Sequence, residues 1–290
     1  MTHTPLKPPL TFAAQAKKLL TRGLTDCSQS ELELFLQKVN YYRLNAYFHD
    51  EINPATDLFR QPLSFNTLKN RYLIDAWLRK LILLTLEPIE LKLRTVLAYW
   101  SAEFYGSDMF YSSACFRNKE KWDEVFKNFE KIKSSHSGTI DPVLLHHKNK
   151  YGGDFPIWVV VEYLSFGDSS KLFNNSQHGV AKKVSESFNK LPKPLAISWI
   201  HSSSVLRNIC AHYGVLYNRR FSVPPKTAYH EKYLDFSYNN KLFPYLIVLK
   251  GLSESEDWLR TKNILVKRVD ESPDFNFTAY GFPEDWKKFL

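Results

Sequence analysis

Arg207, Asn208 and His212 fall within one short stretch, Leu206-Arg207-Asn208-Ile209-Cys210-Ala211-His212-Tyr213-Gly214-Val215-Leu216-Tyr217-Asn218-Arg219-Arg220. A histidine ionises near neutrality, so it can take or give a proton. An arginine is always charged and grips phosphate with a planar fork, and stabilising transition-state charge is its natural task. Cleavage of RNA by attack of a 2′-OH needs a base for that hydroxyl, a cation for the charged phosphorane and an acid for the leaving oxygen. The stretch supplies a proton-transfer group and a cation, and the chemistry requires no metal and no cofactor. On a helix, Asn208 and His212 are i and i+4 and share a face, with Arg207 on the flank. One histidine cannot easily be both base and acid in one step. The second group must come from elsewhere in the chain, or from the partner in a symmetric homodimer.

Spacing alone carries little weight. With 12 Arg and 9 His in 290 residues, one fixed Arg-to-His spacing arises by chance roughly 0.4 times. Arg43 and His49, in Tyr41-Tyr42-Arg43-Leu44-Asn45-Ala46-Tyr47-Phe48-His49, show a similar spacing. The plain alternative for His212 is a structural histidine.

The elements that must position these residues read as helices. Thr11 caps a short helix from Phe12 to about Arg22. Ser28 or Ser30 starts another, running to about Phe48 and broken by Asn53-Pro54. Apolar residues at helical spacing from Phe65 to Tyr105 predict one long helix, or two interrupted near Pro88, ended by Gly106. Lys119–Ile132 is amphipathic. Ser134–Gly138 is a polar loop and Tyr151–Pro156 a second break. Val159, Val160 and Val161 would suit a strand, but Glu162 and the continuation through Leu172 favour helix. Pro192 and Pro194 open a helix to about His212 or Leu216, and Val223-Pro224-Pro225 closes that region. Leu242–Lys262 is a further helix, and the aromatic tail from about Asp270 packs irregularly. The expected fold is all-α: a single unit over 1–290, with an N-terminal helical part at about 5–133, a motif-bearing part at about 140–225 and an extension at about 226–290.

Composition agrees. Hydrophobic residues at 44% support a core, aromatics reach 15%, and glycine is scarce at 10 residues. The net charge of +9 suits an acidic partner such as nucleic acid. Three cysteines without metal spacing read as reduced thiols. The opening residues, with Pro5, Pro8 and Pro9, show no signal peptide. Ile74–Leu97 carries Asp75, Arg79, Lys80, Glu87, Glu90, Lys92 and Arg94, too many charges for a membrane span. The expectation is a cytoplasmic protein with no membrane partner.

Arg207-Asn208-Ile209-Cys210-Ala211-His212 resembles the Arg-x4-6-His motif of the HEPN superfamily, and Leu216-Tyr217-Asn218-Arg219 resembles the continuation found in the Abi-like (AbiD/AbiF abortive-infection) family. Lys7–Thr11, Arg22–Leu24, Asn40–Leu44, Leu86–Glu90 with Arg94, and Pro156–Gly167 are similar in order, so the resemblance spans roughly residues 5 to 225. It implies a HEPN-like helical bundle with additional helices. It also implies a metal-independent endoribonuclease acting as a toxin in anti-phage abortive infection, controlled by a partner such as a noncoding RNA. Arg207 and His212 carry over as catalytic, with Asn208 as the polar residue after the arginine. Glu162 lies in the matching Glu-x-x-Ser-Phe-Gly segment. Tyr213 and Gly214 follow the histidine where relatives often have a basic residue, and Tyr217 stands where they have Trp.

Other groups are weighed beside these. Tyr42 and Arg43 could stack a base and hold phosphate, or could pack structurally. Arg219 and Arg220 with Lys226 are a phosphate-facing patch beside the motif or a solvated turn, and Asn218 is a supporting residue next to them. Glu87, Glu90 and Arg94 suit an intrahelical ion network. His136, His146 and His147 lack the pattern of a metal site. The reading from another class is a non-catalytic RNA-binding protein of a defence system.

Overall fold

The computed structural model describes residue 6 and residues 8–135, 141–226 and 240–290. Among these the chain is almost wholly helical, as expected. Lys7, His136 and the end of the Ser134–Gly138 loop lie outside the described residues.

Helix α1 (Phe12–Thr21) is capped by Thr11, whose hydroxyl accepts from the Ala14 amide. Helix α2 (Gln29–Leu36) opens on a capping box in which Ser28 and Glu31 satisfy each other's backbone N–H. The helix expected to reach Phe48 stops there. Asn40 begins a separate short helix, α3 (Tyr41–Asn45), by accepting from the Tyr42 amide. An asparagine side chain that bonds its own downstream backbone competes with helix continuation. Strands β1 (Leu24–Thr25) and β2 (Leu63–Ser64) pair in parallel. These elements surround an N-terminal cluster of buried residues that includes Leu19, Leu32, Tyr47 and Phe48.

Helix α4 (Phe65–Tyr105) is a single rod of 41 residues with Pro88 inside it. Proline removes one i→i−4 bond. Pro88 and Leu84, whose carbonyl loses its donor, are both exposed, so water can serve that oxygen. Gly106 terminates the rod at φ 88°. After α5 (Lys119–Ser135) and α6 (Pro142–Tyr151), the valine-rich segment forms helix α7 (Ile157–Tyr163). It does not continue to Leu172. Leu164 is extended, and Ser165 caps a new helix, α8 (Phe166–Asn175).

Helices α9 (His178–Ser187) and α10 (Lys193–Ala211) follow, the latter opened by its prolines. The helix expected over Leu242–Lys262 is two, α11 (Phe243–Leu252) and α12 (Ser255–Asp270). Every residue of α11 except Lys250 is buried, whereas α12 is amphipathic, and the chain turns at Ser253 between the two. The tail forms short α13 (Phe277–Tyr280) and a 3-10 turn at Trp286–Lys288, with Phe275, Phe282 and Trp286 in ring contact. Helix α4 packs against α7, α8, α9, α10, α11 and α12 and forms the spine of the main core. No helix among the described residues is long and apolar enough to cross a membrane.

Candidate functional site

Helix α10 ends inside the motif. Ala211 is its last residue and His212 its C-cap, at φ −90° and ψ 20°. The Tyr213 amide bonds the Cys210 carbonyl at 3.1 Å, and the Gly214 amide bonds the Ile209 carbonyl at 2.7 Å. These two bonds define a Schellman stop. Its left-handed residue is Tyr213, at φ 57°, where a glycine is usual. Gly214 is needed for another reason. A Cβ there would lie 2.9 Å from the Ile209 carbonyl oxygen. Asn208 and His212 keep their i, i+4 relation, since the His212 amide bonds the Asn208 carbonyl at 3.0 Å. The His212 side chain is exposed and has no hydrogen bond or ion pair among the described residues.

Arg207 is held. Its Nε lies 3.4 Å from Oε2 of Glu90 on α4, and its Nη1 donates to Asn208 Oδ1 at 3.4 Å. The other Glu90 oxygen accepts from Arg94 at 2.7 Å. Arg94 also donates to the Leu164 and Glu162 carbonyls, each at 3.0 Å, and lies 3.5 Å from the Glu162 carboxylate. Glu162 therefore reaches Arg207 only through Arg94 and Glu90. Ser165 caps α8 by accepting from the Asp168 amide and donating to its carboxylate, which fixes the extended residue whose carbonyl Arg94 reads. The Glu90–Arg94 pair is the intrahelical one expected, and Arg207 extends it between helices. Glu87 is exposed outside it.

The turn after the motif hangs from a buried carboxylate. Asp75 on α4 is fully buried. It accepts from the Leu216 amide at 3.1 Å, the Tyr217 amide at 2.8 Å and the Tyr47 hydroxyl at 2.9 Å. Tyr280 and Arg79 also donate to it. Burial pushes its carboxyl above the usual range, against the opposing pull of Arg79 and these donors. Arg43 adds a clamp from α3, donating to the Tyr213 carbonyl at 2.5 Å. The segment that suggested a second motif thus braces the first.

The remaining sequence-predicted residues divide. Asn218, at φ 50°, donates to Asp50 and accepts from Lys241 at 3.1 Å. Arg219 turns back to the Val215 carbonyl at 3.2 Å, with its guanidinium 5.8 Å from the Phe221 ring centroid. Arg219 is engaged in the turn's own packing, and Asn218 ties the turn to Asp50 and Lys241. Arg220 and Tyr42 are exposed, Tyr42 at 85%. His147 is buried, its Nδ1 2.9 Å from the Val143 carbonyl and its ring stacked on Phe155. Among the described residues no group of three or more His, Cys, Asp or Glu is placed to hold a metal.

Sequence reasoning missed the anchoring roles of Glu90 and Asp75. For Asp75 a signal existed: Asp75 and Arg79, at i and i+4, sit among Ile74, Leu78 and Ile82, and charges on an apolar face must pair.

Residues 34–218 match the family model described as Abi-like protein. No curated protein and no solved structure matches the chain.

Proposed function

The chain belongs to the Abi-like family, whose membership suggests a role in abortive infection or another defence, and from that premise we propose that it is a metal-independent endoribonuclease of such a system. The observation that carries this reading is the end of α10, which leaves the His212 imidazole exposed at the helix cap, five positions after an Arg207 oriented by Glu90 and Asn208. In the proposed reaction His212 takes the proton of a ribose 2′-OH. The 2′-oxygen bonds to the adjacent phosphorus while Arg207 neutralises the phosphorane charge. The bond from phosphorus to the 5′-oxygen then breaks, leaving a 2′,3′-cyclic phosphate and a 5′-OH. That 5′-oxygen needs a proton from a second acid, and the His212 of a second copy in a homodimer would supply it. Glu162 supports the site through Arg94, and Arg220 adds charge for the RNA backbone. A regulatory RNA or a protein partner would hold the activity in check, and the site would work in the cytoplasm.

The test is cleavage of RNA by the purified chain in EDTA, alone and with its co-purifying partners, beside His212→Ala. Loss of cleavage in the variant, with the melting curve unchanged, is expected. Cleavage at the wild-type rate by His212→Ala would overturn the assignment.

A further inference from the structure

Two hollows meet at one side chain. Trp158, on α7 and 52% exposed, lines a groove of about 460 Å³ with Arg94, Tyr99 and Glu162. It also lines a second hollow of about 320 Å³ with Tyr111, Tyr151, Asp108 and Asp154. Arg94, in the groove wall, shares Glu90 with Arg207, which ties the groove to the motif through one carboxylate.

The chemistry of that hollow narrows its occupant. Tyr151 and Trp158, each about half exposed, offer flat aromatic walls. The Asp108 and Asp154 carboxylates have no hydrogen bond or ion pair among the described residues. A purely apolar ligand would strip water from those carboxylates and return nothing. A nucleobase meets both features. Its faces stack on aromatic rings, and an amino-bearing edge donates to a carboxylate that can only accept.

We propose that this hollow is a nucleobase subsite that takes one unpaired base bearing an exocyclic amino group from RNA bound at the Arg207–His212 site. Adenine, cytosine and guanine present such an edge. Uracil lacks an exocyclic amino group, and its single N3–H lies between two carbonyl oxygens that oppose the carboxylates, so it is disfavoured. The subsite rests on the RNA reading above and adds to it a base preference read by Asp154 and stacking supplied by Trp158 and Tyr151.

The test titrates the intact chain with the 5′-monophosphates of adenosine, cytidine, guanosine and uridine by calorimetry. At least one amino-bearing nucleotide should bind about tenfold tighter than the uridine nucleotide. Trp158→Ala and Tyr151→Ala should each weaken that binding about tenfold, in the range of one lost stacked base. Asp154→Asn, whose amide can also donate, should bring the uridine nucleotide level with the others while leaving stacking intact. Trp158 and Tyr151 are half exposed, so both truncations should keep the wild-type melting curve. Equal binding of all four nucleotides, or unchanged binding by both aromatic variants, overturns the subsite. The two readings separate cleanly. Nucleotide selectivity together with unaltered cleavage by His212→Ala sinks only the nuclease. Loss of cleavage in His212→Ala with no nucleotide binding sinks only the subsite.

Discussion

Asp75 and Glu90 are two carboxylates on one helix, and each holds one end of the same motif. Glu90 meets Arg207 before the histidine, through a long contact to a side chain that is 35% exposed. Asp75 meets the turn after the histidine, with no exposure and donors from Arg79, two tyrosines and two backbone amides. One anchor orients a side chain that stays partly open to solvent. The other fixes backbone that never needs to move. The difference shows how a site can be rigid in its frame and open at its reacting groups.

The largest break in that comparison is Asp75→Ala. It leaves Arg79 buried without its partner and orphans two amides, so stability should fall by about 3–5 kcal/mol in denaturant unfolding. An unchanged unfolding midpoint would show that the buried network is not what holds the turn. Glu90→Gln should behave in the opposite manner. Stability should drop by about 1 kcal/mol, while kcat falls about 10- to 100-fold because Arg207 loses its orientation. Equal losses of stability in the two variants would erase the distinction.

Smaller effects sharpen it. Tyr213 adopts a left-handed conformation that costs a residue with a side chain about 1 kcal/mol. Tyr213→Gly should therefore stabilise the chain by up to about 1 kcal/mol, read as a rise in melting temperature, with the Schellman bonds retained. The smallest effect is chemical. Burial pushes the Cys210 thiol up to about 12. The reactive thiolate is the form above that value, so at pH 8 Cys210 should resist alkylation until the protein unfolds. Rapid labelling of Cys210 in the native protein would mean that the α10 face against α4 opens.

Much of the helical frame was legible because its signals are local. Thr11, Ser28 and Gly106 mark helix ends through side-chain or backbone chemistry a few residues away. The break at Asn40 and the turn at Ser253 were missed because apolar periodicity runs on through both. At the site, the helix ends at His212, one of the two ends expected from the sequence. The contacts of Arg43 with Tyr213 and of Asp75 with Leu216 were beyond reach, because they join residues 170 and 141 positions apart. Asn218 and Arg219 look like phosphate ligands by type, and only packing shows Arg219 bonded within the turn and Asn218 to Asp50 and Lys241.

Because α4 continues unbroken through Pro88, it is a gauge bar between its two anchors. Fifteen positions of helix set Asp75 and Glu90 about 22 Å apart along the axis, and neither can be adjusted alone. One residue added between them would swing one carboxylate about 100° around the rod relative to the other. The spacing of the motif's supports is therefore written as a length of helix, and insertions or deletions there should be tolerated far less than substitutions.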